Sequence, residues 1–452
     1  MGRHLKNVIV ASVGFSFTFT ATGSLQSLQS SLNAEAGMGL TSVSVAYSMM
    51  ILSSMFVAPT LINYLGCKWS SVACIGCSVI YTLGNFFPGW YLLITVSAII
   101  GLGASPLWSA MSTYITVSAN LQAQIDKRKS QDVINQYFGI LFLAYQSSNV
   151  WGNLMSSLIL GLDSKTANVS QGSTLFCGVS SCLNSSGLAV LSERPGAKPL
   201  NILLGCYLGF GTLGMLIMGA FLDNVKGNED CDTEEKSFCS VFFSTFKQMK
   251  DYRQVLLIPL TTFIGLEMSF LTGDYTSVYA TCALGIHYVG FVMICFGASS
   301  SVTAFAVGKL SQYTGRKALF AFAAVTNLSC IMGLLVWRPH PNQMTAFFVF
   351  PSLWGMADAI WQTQTNVLYG VLFNYQKGAA FANYRLWESL GCAFSFALSN
   401  FVCVEIKLYI LIVVLVLGIV LYALVEYIES QFHIPFNGTT VTELIELNRT
   451  LA

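Results

Sequence analysis

Four charged side chains stand inside otherwise apolar stretches, and any chemistry would have to centre on them. Asp358 lies in LWGMADAIWQTQTN (353–366), Arg385 and Glu388 lie in AFANYRLWESLG (380–391), and Glu267 lies in LTTFIGLEMSF (260–270). An ionised group in hydrocarbon is expensive, and it normally faces a cavity or a partner. Gln362 follows Asp358 by four residues, which on a helix places both on one face. Arg385 and Glu388, at i and i+3, are helical neighbours. Two readings stay open. In one, Asp358, Gln362, Arg385 and Glu388, together with Glu267 and Gln26, line a central cavity that takes up a solute or a proton. In the other, Arg385 and Glu388 neutralise each other and Asp358 bonds to adjacent helices, fixing a bundle. Glu267, nearer the outer end of its stretch, is also open to hydration there. Catalysis of the soluble kind has no support. Phosphate-loop, zinc-protease and nucleophile-elbow spellings are missing. The four His (His4, His287, His340, His433) are scattered. No enzyme, no metal site and no cofactor are indicated.

The elements that must position these residues follow from composition. The 452 residues are 54% hydrophobic and 10% charged, with a mean hydropathy of +0.62. Soluble domains carry about 25% charge, so this chain cannot coat itself with a hydrated surface. A soluble enzyme and a disordered chain are excluded. The net charge of +1 offers no basic excess for nucleic acid. The lipid bilayer is the expected surrounding, and an all-α membrane protein of 12 transmembrane helices the expected fold class. A spanning helix takes about 20 apolar residues, which places spans near 8–30, 41–64, 70–88, 91–117, 133–161, 200–222, 254–272, 285–307, 318–337, 344–373, 379–403 and 408–428. The organisation read from them is a six-helix bundle over 1–222, with an outside loop at 162–199. A cytoplasmic linker follows at 223–253, a second six-helix bundle at 254–428 and a cytoplasmic tail at 429–452. The linker carries an acidic run, Glu229 to Glu235.

Most of the 22 Lys and Arg fall on the side of the N-terminus, which predicts both termini cytoplasmic. The outside loop carries the sequons Asn168-Val169-Ser170 and Asn184-Ser185-Ser186, expected to bear glycans. Cys177 and Cys182 share that loop. A disulfide joins them to each other, or joins one of them to Cys282 in another outside loop. Lys407 is assigned to an outside loop. Gly205 and Gly209 are read as a small-residue packing face, and Trp108, Trp151, Trp354, Trp361 and Trp387 as interior rings.

The halves echo each other. Leu61-Ile62-Asn63-Tyr64-Leu65-Gly66-Cys67-Lys68 matches Leu310-Ser311-Gln312-Tyr313-Thr314-Gly315-Arg316-Lys317 at Leu, an amide, Tyr, Gly and Lys. Both fall in short turns after the second span of their half, where Gly permits a tight reversal and the bases anchor at the interface. The stretch Gly308 to Lys317 resembles the loop signature of the major facilitator superfamily, Gly-x-Leu-x-Asp-x-x-Gly-Arg-Lys. It departs at the acid, where this chain has Gln312, and Asn63 in the first copy. In transporters of this fold the acid joins a charge network that locks the inner gate. An amide hydrogen-bonds but makes no ion pair.

Longer stretches resemble the unc-93 family, a divergent branch of that superfamily: SLQSLQSSL (24–32), NYLGCK (63–68), GLGASPLWSA (101–110), NQYFGI (135–140), VWGNL (150–154), TCALGI (281–286), KLSQYTGRK (309–317), LWGMADAIWQTQTN (353–366) and AFANYRLWESLG (380–391). The resemblance implies a major facilitator-type fold of two six-helix pseudo-repeats. It also implies an accessory role: members associate with potassium channels and regulate them, or escort Toll-like receptors between compartments. It transfers no substrate residues. The expected function is therefore a plasma-membrane regulator of an ion channel. The alternatives are a secondary transporter of a small organic solute or ion, and a trafficking chaperone for membrane receptors, for which an endomembrane location is also open.

Overall fold

The computed structural model describes residues 3–33, 38–87, 89–161, 177–180, 197–224, 247–284, 287–373, 377–399 and 402–432. The sequons at Asn168 and Asn184, Cys182, most of the 223–253 linker and the chain beyond 432 lie outside these residues.

Lipid offers no hydrogen bonds, so a spanning backbone must satisfy its own N–H and C=O groups, and an unbroken helix does this. The described residues form twelve long helices. The first half contains α1 (Arg3–Leu32), α2 (Met38–Phe56), α3 (Ala58–Gly84), α4 (Trp90–Asp126), α5 (Ser130–Gly161) and α6 (Ala197–Phe221). The second contains α7 (Tyr252–Ser269), α8 (His287–Thr314), α9 (Arg316–Val336), α10 (Met344–Leu372), α11 (Lys377–Ser399) and α12 (Val404–Phe432). With an even number of crossings, Arg3 and Phe432 end on one side, the terminal face; the other side is the far face. The halves meet chiefly where α5 lies along α8 and α2 along α11. Apolar side chains also cover the outside, as lipid requires: Leu216, Val325 and Val413 are exposed. Gly205, Gly209 and Trp151 belong to this outer surface too. The expected packing role of the two glycines and the interior place of Trp151 are thereby corrected, because α6 and α5 turn those positions to lipid.

Three departures from the predicted spans have physical causes. The turn expected over 65–69 is a break at a single residue, Gly66, which divides the range given for α3 into two helical pieces. Gly66 has φ 71°, ψ 169°, and Gly315 in the second half has φ 74°, ψ 155°. This conformation is essentially restricted to glycine, so the duplicated sequence reads out as a duplicated backbone. Next, α7 does not stop near 272. It continues as a π-helix from Phe270 to Thr281 and a last α-turn, Cys282–Leu284. Last, Lys407 is not on a loop. It is 4% exposed, and its Nζ donates to Asp274 Oδ1 at 2.7 Å and Oδ2 at 2.8 Å. A lysine at a helix end can be taken inside only with a carboxylate to meet it, and the extended α7 supplies one.

At the far face, the short turn Gly178–Ser180 of the α5–α6 connection rests on the second half, with Gly178 against Pro339 and Tyr279. Cys177 is bonded to Cys282. Of the pairings left open by the sequence, Cys177–Cys182 is thus corrected. The turn carries Cys177 across to the end of α7, where the two Cα atoms stand 5.8 Å apart, a normal disulfide span.

Candidate functional site

The interface between the halves is closed on one side and hollow on the other. On the terminal side it is filled. The Ser112 hydroxyl donates to Asn366 Oδ1 (3.1 Å) and Gln364 Nε2 donates to Asn135 Oδ1 (3.3 Å), joining α4 and α5 to α10. Gly139 of α5 and Gly308 of α8 cross so closely that a Cβ on Gly139 would lie 2.9 Å from the Gly308 Cα. Phe138 packs against Phe381. Toward the far face the helices part around a cavity of about 160 Å³.

Sequence explains the wall of that cavity. Small residues at Gly23, Gly101, Ala104 and Gly273 leave room, and aromatic rings border it. Phe19, Trp108 and Tyr145 form one cluster, with centroids 5.2 Å apart for Phe19–Trp108, 4.9 Å for Trp108–Tyr145 and 5.0 Å for Phe19–Tyr145. Tyr47 of α2 stacks on Phe396 of α11 at 5.6 Å, bridging the halves at the cavity margin.

The floor is polar and comes largely from α10 and α11. The Arg385 guanidinium stands 4.4 Å from the Trp108 ring and 4.2 Å from the Tyr384 ring. Its Nη1 donates to Glu388 Oε2, and its Nη2 donates to Asn366 Oδ1 at 3.3 Å. Gln362 Nε2 donates to Glu388 Oε1 (3.3 Å), while the Tyr384 hydroxyl donates to Gln362 Oε1 (3.2 Å). The Arg385 side chain is 2% exposed and that of Glu388 12%. The carboxylate is therefore the charge that the cavity meets.

Of the residues predicted for a cavity, Gln26, Gln362, Arg385 and Glu388 border it. Asp358 and Glu267 do not, and that placing is corrected; for Asp358 the other open reading, a bond to an adjacent helix, is the one the structure follows. Asp358 lies in the packed α5–α10 seam, where Gln146 Nε2 donates to its Oδ2 at 2.6 Å. Asn149, on the cavity wall, in turn donates to Gln146 Oε1 at 3.0 Å. Among the described residues Asp358 Oδ1 has no hydrogen-bond partner. Glu267 is 0% exposed rather than hydrated, and Asn327 Nδ2 donates to its Oε2 inside the second half.

The loop motif acts at the terminal face. Gly308 makes the close α5–α8 crossing, and Gly66 and Gly315 make the reversals. Asn63 is exposed, and Lys68 lies over the Trp69 ring at 5.1 Å. The acid that the Gln312 position lacks comes from α12: Arg316 Nε donates to Glu426 at 2.7 Å, and Lys317 Nζ lies 3.9 Å from the same carboxylate. Arg253 pairs with Asp251 and Glu429. Arg3 donates to Asp223 at 3.2 Å, which holds that carboxyl below its usual range. Among the described residues no ion pair joins the first six-helix bundle to the second.

Sequence reasoning missed the Asp274–Lys407 pair and the aromatic seat of Arg385. The first was findable: Asp274 sits in the apolar run Phe270–Leu284, and extending the seventh span would have exposed it as an intramembrane charge. The second had no local signal, because Trp108 comes from the other half.

Comparison with known proteins bears on this arrangement. The family model "Ion channel regulatory protein UNC-93" matches residues 29–423. The chain is 55% identical over 439 residues to "Protein unc-93 homolog A" of Danio rerio, covering 96% of this chain and 94% of that one. It is 36% identical over 430 residues to the Caenorhabditis elegans protein named "Putative potassium channel regulatory protein unc-93", covering 93% and 61%. Among solved structures it resembles a Major Facilitator Superfamily transporter, FucP, in the outward conformation. The TM-score is 0.62 at 12% identity, over 92% of this chain and 97% of that one. The fold is of that type; at such identity the likeness extends no further.

Proposed function

The chain belongs to the UNC-93 family of ion channel regulatory proteins, and from that premise we propose that it is an accessory protein of a potassium channel in the plasma membrane. The family match is the observation that carries the reading. The terminal face adds support. In a transporter of this fold an ion-pair network crossing the halves makes and breaks as the gate moves. Here no ion pair of the described residues joins the two bundles, and uncharged hydrogen bonds and close helix packing hold the halves together. Both termini are cytoplasmic in this reading. The Cys177–Cys282 bond lies at the far face, and such bonds persist in oxidising compartments. Glycans on Asn168 and Asn184 belong to the same topology.

Co-expression with potassium channels tests it. The expected outcome is a changed current at unchanged channel number on the cell surface. Unchanged current across a panel, with this protein present at the surface, rejects it. A rise in surface channel number alone supports the trafficking reading. In the same cells, glycosidase treatment should lower the protein's apparent mass, and should leave Asn168→Gln, Asn184→Gln protein unaltered.

One observation favours a second reading, transport of a small solute: the cavity between the halves holds charged groups on its floor. Substrate-dependent uptake by the reconstituted protein is its test.

A further inference from the structure

We propose that the central cavity is a binding site for a compact organic cation, an amine or small quaternary ammonium on an aromatic or short aliphatic body. Glu388 is its counter-charge, and the Phe19–Trp108–Tyr145 cluster is its wall. The inference stands apart from the channel reading, since it concerns occupancy of the cavity alone.

Charge selects the sign of the ligand. Arg385 is sealed off: one nitrogen serves Glu388, another serves Asn366, rings stand within 4.4 Å of it on Trp108 and Tyr384, its unpartnered Nε is buried, and the side chain is only 2% exposed. Glu388 is not. An ionised carboxylate has about four acceptor positions. Arg385 takes one on Oε2 and Gln362 one on Oε1, and the side chain keeps 12% exposure on the cavity. Of the paired charges the cavity thus meets the carboxylate more openly than the guanidinium, and a low-dielectric enclosure strengthens what that carboxylate can do. An anion would meet a guanidinium that is only 2% exposed.

Shape and surface select the body. Aromatic faces attract cations through their quadrupole, more strongly where water is excluded. Three mutually tilted rings within 5.2 Å of one another present both faces and edges. The space of about 160 Å³ is close to the roughly 150 Å³ that admits a benzene-sized guest, and below the ~300 Å³ where drug-sized pockets begin. A single ring or a small alkylammonium fits. The amides of Gln26 and Asn149 add hydrogen bonds at the margin.

Thermal unfolding of the full-length protein in lipid nanodiscs, titrated with benzylamine, benzyl alcohol and benzoate, tests this. These probes share a ring and differ in charge. Benzylamine should protect saturably, benzyl alcohol about tenfold more weakly or less well still, and benzoate not at all. Glu388→Gln should erase the preference for the amine. That variant leaves Arg385 without its acid and risks misfolding, so Ala104→Leu is the companion: it fills the cavity from α4 without touching the ion pair, and should weaken benzylamine about tenfold or more. Equal or stronger protection by benzoate overturns the proposal. So does benzylamine protection that Ala104→Leu leaves unchanged.

Discussion

Arg385 and Glu388 neutralise each other beneath a cavity that meets chiefly one of them, and this sets what each substitution does. Removing one member of a buried pair leaves the other charged in a poor solvent, which costs about 3–5 kcal/mol; replacing both by neutral groups of similar volume costs far less. Arg385→Met should therefore destabilise the protein by about 3–5 kcal/mol, and adding Glu388→Gln should restore most of that loss. Unfolding midpoints of the two single variants and the double variant measure it. Additive losses would mean that the pair is not coupled. The pair was legible in the sequence because i, i+3 spacing on a helix is a local signal. Asp274 and Lys407 were not, since 133 positions separate them and only the fold brings them together. Asp358 shows the opposite limit. Its burial was evident from its apolar neighbours, but whether it faced a cavity or a packed seam depended on Gln146, on a helix of the other half.

Helices were easier to read than residues. Hydropathy over some 20 positions placed a span near each of the twelve, although among the described residues only seven, or eight with one bent pair, are long and apolar enough to cross a membrane on their own. What it did not locate were their ends. The π-helical continuation of α7 over Phe270–Thr281 carries Asp274 and several hydroxyls, which dilute hydropathy where the helix in fact goes on. The Gly66 and Gly315 reversals were legible as paired motifs, though not as single-residue turns. Their matching geometry, φ 71° and 74° with extended ψ, gives a matched expectation. Gly66→Ala and Gly315→Ala should each cost about 1–3 kcal/mol, although both glycines have open space around them. The loss then comes from the backbone alone. Unfolding midpoints of the two variants are the check, and a neutral result at either site would refute the strained conformation there.

At the scale of the molecule, the halves are joined by more than the chain that links them. The Cys177–Cys282 bond crosses from the first half to the second at the far face, while the linker at 223–253 passes at the terminal face. A protease site placed between residues 225 and 246 should yield two pieces that run as one band without reductant and as two bands with it. Cys403 is disulfide-bonded as well, so Cys177→Ser, Cys403→Ser should give two bands in either condition. Separation without reductant in the unaltered chain would refute the cross-bridge. The same bond imposes an order on biogenesis. Its two sulfurs are 105 residues apart, so at about 5–20 residues per second the first thiol waits some ten seconds or so for the second to be synthesised and threaded through. Cys182 emerges almost at once. A nascent chain is thus offered the wrong mate before the right one, and the finished bond certifies that synthesis has passed the seventh helix.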